Sequence, residues 1–181
     1  MKKTNITALV MAMGIWAGAP VAVQAACHPN ITATAPDSRY IDNGDGTVTD
    51  QATGLMWKQC SEGQSTTTSA CDTGPWDYYS WQEALQQAEA LNSGGGFAGF
   101  TDWRLPNRNE LASLVERQCL SPAINTNLFP RTAWSLHYWS SSPSFLANVS
   151  DYVWYVYFGT GEFSGTNSSA SGHVRLVRGG R

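Results

Sequence analysis

The 181-residue chain carries 14% charged and 12% aromatic residues at a formal net charge of −3. Loss of a leader containing Lys2 and Lys3 takes the charge to −5 and leaves Lys58 as the sole lysine, so arginine is almost the only base and no nucleic-acid footprint is present. A mature chain of about 155 residues is one domain by length, long enough to bury roughly two-thirds of the surface exposed when unfolded.

Lys2 and Lys3, an apolar stretch from Ile6 to Ala19, and the small residues around Val23-Gln24-Ala25 have the three-part layout of a secretory signal peptide. It is read as residues 1–26, cut after Ala25 or Ala26. The apolar run is shorter than the roughly 20 residues of a membrane span, so no transmembrane segment is expected after cleavage. Cys27 directly after Ala25-Ala26 leaves lipoprotein processing open, although Gln24 stands where a lipobox has leucine. Export to the periplasm, the cell surface or the medium follows from this reading. Residues 27–38 form a polar, proline-punctuated tail, and the domain runs over 39–181.

Cys27, Cys60, Cys71 and Cys119 all lie in the exported part, and four cysteines permit three pairings. Cys60 and Cys71 flank a short polar loop, which favours that local bridge and leaves Cys27 to tie the tail to Cys119. Each closure is expected to stabilise the fold by roughly 3–5 kcal/mol in the chain-entropy picture. No close CxxC pair is present, and an oxidising compartment disfavours the competing four-cysteine zinc site, so no metal is expected.

Between Tyr40 and Trp57, Asn43-Gly44 and Asp45-Gly46 interrupt β-rich segments and predict a hairpin. Asp42, Asp45 and Asp50 also suggest a calcium loop, but their spacing misses the EF-hand and its closing glutamate is absent. Ser80 and Glu83 predict a capping box opening a first helix, with Trp81, Ala84, Leu85, Ala88 and Leu91 as its apolar stripe and Gly94-Gly95-Gly96 as its stop. The turn Asp102-Trp103-Arg104-Leu105-Pro106 leads into a second capping box, Asn107 with Glu110, and a helix read from Arg108 to Gln118 with Leu111, Leu114 and Val115 on its apolar face. Trp103 is expected to fill core volume, with its indole N–H seeking a partner and Asp102 and Arg104 pairing with backbone or each other. Beyond Thr132 the chain reads as strands: Tyr138–Ser142, Asp151–Phe158, Glu162–Asn167 and His173–Arg178. The fold class is α+β, two helices packed on antiparallel sheet and braced by disulfides.

Four blocks carry a resemblance. Gly99-Phe100-Thr101-Asp102-Trp103-Arg104-Leu105-Pro106, with Glu110-Leu111 following, resembles the signature of the collagen-like-adhesin C-terminal domain family, the Lcl domain. Asp45 to Asp50 with Thr53-Gly54-Leu55-Met56-Trp57, then Tyr138-Trp139-Ser140-Ser141-Ser142, then Val174-Arg175-Leu176-Val177-Arg178 resemble its opening hairpin, central strand and closing strand, in the family's order. The resemblance implies a C-type-lectin-like fold, of the kind shared with formylglycine-generating enzymes and with receptor-binding variable proteins.

No catalytic constellation is expected. The histidines His28, His137 and His173 are scattered, no Gly-x-Ser-x-Gly elbow occurs, and the last cysteine, Cys119, is assigned to a disulfide, so cysteine-bound copper chemistry does not carry over. Asp102, Glu110, Asp151 and Glu162 supply carboxylates in number without a visible pairing. No cofactor is expected. On Asp151 to Phe158 the family's W-x-V-x-F pattern puts Trp154, Val156 and Phe158 inward. Tyr155 and Tyr157 then face out beside Glu162, Ser164 and Thr166, near Asn167 and His173. Tyrosine with small polar residues has the composition of a binding face. A surface glycan or a protein is the expected partner. The alternatives are a structural component of an envelope or pilus assembly, or a receptor-binding protein diversified by a retroelement, since most outward types are reachable from asparagine codons through adenine changes.

Overall fold

A computed structural model describes residues 25–64, 71–72, 74–144 and 151–179. Of the segment read as a signal peptide, only Ala25 and Ala26 lie among them. Among the described residues, three antiparallel sheets and two α-helices make an α+β fold. β1 (Ala26–Cys27) pairs with β5 (Cys119–Leu120). β2 (Tyr40–Asp42), β3 (Thr47–Asp50) and β4 (Leu55–Lys58) form a meander completed by β9 (Val177–Gly179). β6 (Tyr138–Ser144), β7 (Tyr152–Tyr157) and β8 (Glu162–Asn167) form the third sheet.

Both helices open as their sequences predict. In α1 (Trp81–Ser93) and α2 (Arg108–Ala112) the cap side chain accepts the N3 amide, and the N3 glutamate reaches back to the cap N–H. α2 is far shorter than the span read to Gln118. The Ser113 hydroxyl donates to Glu110 O at 2.7 Å, Arg39 Nη1 takes Ser113 O, and Thr34 Oγ1 donates to Val115 O. These partners satisfy carbonyls that another helical turn would have used, so tertiary contacts end the helix. Leu111, Leu114 and Val115 are nonetheless buried as expected. On α1, Ala84 and Ala88 are buried, whereas Leu85, read into the apolar stripe, is exposed.

Two disulfides close, Cys27 with Cys119 and Cys60 with Cys71. Such bridges belong to domains that fold outside the reducing cytosol. With its sulfur committed to Cys119, Cys27 has no thiol left for a lipid thioether. No helix among the described residues is long and apolar enough to cross a membrane. The acids of the opening turn serve backbone geometry: Asp42 accepts from Gly44 N and Asp45 from Thr47 N and Oγ1, while Gly44 and Gly46 take left-handed φ values of 74° and 83°.

The tryptophan corner joins the layers. Trp103, 2% exposed, donates its indole N–H to Phe97 O at 3.0 Å, and Asn92 of α1 brackets its backbone with bonds to both N and O. Asp102 and Arg104 do not pair with each other. Asp102 holds Arg178 of β9, and Arg104 forms a two-pronged ion pair with Glu110 while bridging Val177 through both backbone groups. One register shift in β6 lies between Trp139 and Pro143. The extra residues tie the corner down: Ser141 N donates to Pro106 O, Ser142 Oγ accepts from Arg108 N, and Ser140 O accepts from the Trp81 indole. Two apolar clusters result. One, around Trp57, Leu111, Tyr138, Val156 and Phe158, lies against α2; the other, around Trp103, Trp139, Val153 and Leu176, lies under α1.

Candidate functional site

The expected outward set separates once β7 and β8 are paired. Directly opposed residues share a face, and the register opposes Tyr155 to Ser164, Tyr157 to Glu162 and Val153 to Thr166. Five of the seven expected residues therefore share one side of the sheet. Glu162 and Ser164 are exposed, while Thr166, Tyr155 and Tyr157 are half-buried. Tyr155 leans on the cluster under α1, its ring 4.6 Å from that of His137. The Tyr157 ring lies so close over Gly159 that a Cβ there would stand 2.4 Å from its Cζ.

Two expected residues do not join them. Asn167 opposes Tyr152 on the other face, and its Oδ1 accepts from Ser169 N and Oγ, which closes the turn after β8. His173 is 1% exposed, not a surface residue. Its Nδ1 is 3.2 Å from Asp77 O, and its ring sits among Tyr78, Tyr138 and Trp76. Trp154, read as inward, is half-buried: the Arg108 guanidinium lies 4.6 Å over its ring, and exposed Phe163 flanks it at 6.5 Å. Period-two reading fails here because this sheet is covered on both sides. Val153 and Tyr155 meet one cluster, and Val156 with Phe158 beyond the strand meets the other.

Arg117, in the loop after α2, completes the exposed side. With Tyr155, Thr160, Glu162 and Ser164 it borders an open groove of 560 Å³. Nothing in the sequence marks it, because it comes from a loop 45 positions before Glu162. The groove thus offers a guanidinium, a carboxylate, two hydroxyls and a tyrosine: donors, acceptors and an apolar ring within one concavity. Three acids outside the groove, Asp50, Glu110 and Glu116, are engaged structurally. Burial raises the pKa of Asp50, Glu110 and Glu116, but hydrogen bonds to Arg39, to Arg104 and to the amides of Thr34, Ala35 and Gln118 respectively outweigh it, and each ends below the ordinary range. No cluster of three metal-ligating side chains exists among the described residues.

Beneath the groove, Tyr155 rests on an imidazole layer. His137 stacks between Trp139 and Tyr155, and its carbonyl accepts from His173 N at 2.8 Å. Both Nε2 atoms are buried without a partner among the described residues. Desolvation, with a smaller contribution from His173, pushes His137 down to about 4, and burial also lowers His173. A family model described as Lcl C-terminal domain matches residues 46–178, which takes in all four motif blocks except Asp45. No curated protein matches the chain.

Proposed function

The chain belongs to the Lcl C-terminal domain family, and from that membership we propose an exported C-type-lectin-like recognition domain that binds a hydroxyl-rich surface glycan and catalyses no reaction. The observation carrying this reading is the groove lined together by Arg117, Tyr155, Thr160, Glu162 and Ser164. A sugar presents an apolar face and a fringe of vicinal hydroxyls. Tyrosine suits the first, and a donor and an acceptor of opposite charge suit the second. The groove has the volume of a small-ligand site and is open enough to admit an internal unit of a chain. Its mixed charge, in a domain of net negative charge, favours neutral glycans over polyanions.

An array of glycans and extracellular proteins probed with the mature domain tests the proposal. Neutral glycans should be retained, and Arg117→Ala and Glu162→Ala should each weaken retention about tenfold, or ~1.4 kcal/mol. Both side chains are exposed, so melting should not move. Retention of proteins alone, or unchanged glycan retention by both variants, overturns the glycan assignment. A blank array from folded protein favours a structural role in an envelope assembly.

A further inference from the structure

We propose that β8 is a docking edge for a second copy of this chain, joining two three-stranded sheets into one of six strands about a two-fold axis. β8 ends the order β6-β7-β8, and among the described residues the backbone bond that reaches its outer side is a local one, from Ala170 N to Asn167 O in the turn that follows, while no other strand pairs with it there. Such an edge presents a row of unpaired N–H and C=O groups, and folded chains guard it with lysine, proline, a bulge or a cover. β8 has no such guard. Its pairing with β7 runs without a shift from Tyr157 opposite Glu162 to Tyr152 opposite Asn167, and EFSGTN contains neither proline nor lysine. None of its six residues is buried, and Phe163 is 46% exposed.

The sequence of the strand selects its own copy as partner. Two antiparallel strands related by an axis normal to the sheet keep their faces, so residues of like parity must oppose one another. Centring the axis on Ser164 places Ser164 opposite itself, Phe163 opposite the second copy's Gly165, and Glu162 opposite the second copy's Thr166. An aromatic ring then covers a glycine twice, which shields backbone that glycine leaves bare. The only charged residue of β8 meets a hydroxyl, so no like charges are opposed. Phe163 lies on the face of Trp154, and the two copies together extend that apolar strip across the axis. The proposal does not rest on what the groove binds, although the edge shares Glu162, Phe163 and Ser164 with the groove lining.

Two measurements on the mature protein test it. Sedimentation should give twice the chain mass for the wild type, and Phe163→Glu should lower the association constant about tenfold or more. Ser164→Cys should cross-link to its own copy under mild oxidation, because directly opposed Cβ atoms stand about 4.5–5.5 Å apart, near disulfide reach. Exposed Ser135→Cys serves as the control. Faster cross-linking at 164 than at 135 captures even a weak dimer. A wild type that sediments as a monomer at every concentration, with equal cross-linking rates at the two positions, overturns the proposal.

Discussion

Arg175→Ala is expected to lower the unfolding free energy by about 3–5 kcal/mol and the melting temperature by on the order of 10 °C. Arg175 is fully buried and, among the described residues, hydrogen-bonds to no carboxylate. Its guanidinium instead donates to Lys58 O, Gln59 O, Ser61 Oγ and Thr132 Oγ1, which ties the end of β4 to the segment preceding β6. Phe129 and Tyr138 present ring faces to it at 4.9 and 5.8 Å. Desolvation lowers its pKa, yet a guanidinium stays charged and must be compensated by these acceptors. Removing it strands buried carbonyls and opens a cavity, and the two costs add. Arg175→Lys should recover less than half of the loss, since one ammonium cannot span four acceptors. Denaturant unfolding decides the matter, and an alanine variant within about 1 kcal/mol of wild type would refute the role.

Acid should weaken the fold before the buried carboxylates of Asp50, Glu110 and Glu116 are protonated. His137 and His173 are held neutral by burial, so their folded pKa values lie below the unfolded value of about 6.5. Groups depressed in this way contribute their full stability above pH ~6.5. As pH falls, the unfolded chain takes up protons first, and stability is lost until the folded pKa of about 4 is passed for His137. Across pH 6.5 to 4.5 the loss from His137 alone should reach about 2 kcal/mol, with His173 adding in the same direction, equivalent to a fall in melting temperature of roughly 5 °C or more. The low carboxylate pKa values of Asp50, Glu110 and Glu116 act in the same direction only at lower pH. His137→Phe keeps a ring between Trp139 and Tyr155 and should flatten the dependence. Equal melting of the wild type at pH 7 and 5 contradicts a neutral imidazole layer.

Local chemistry was legible in the chain, and long-range partnership was not. Capping boxes, glycine turns and the two disulfide pairings depend on residues close in sequence or few in kind, and each was read correctly from Ser80, Asn107 and the four cysteines. The span of β8 was read residue for residue. The second helix was overextended because its end is fixed by Thr34 and Arg39, some 75 positions upstream. His173 and Trp154 were misplaced for a different reason. Alternation along a strand labels two faces, but it cannot say what covers each: the segment 76–78 buries His173, and Arg108 of α2 lies over Trp154. Arg175 was visible as part of a closing motif, while its acceptors at 58, 59, 61 and 132 emerge only when three segments meet.

The central claim is that a braced, two-cluster scaffold exists to present the groove between β7, β8 and Arg117. Amide chemical-shift mapping of the mature domain during titration with an array-retained glycan tests this most directly. The account predicts saturable shifts concentrated at Arg117, Tyr155, Glu162 and Ser164, with the Trp103 corner unmoved. Shifts centred on another surface, such as the Arg108 and Trp154 stack, would contradict it.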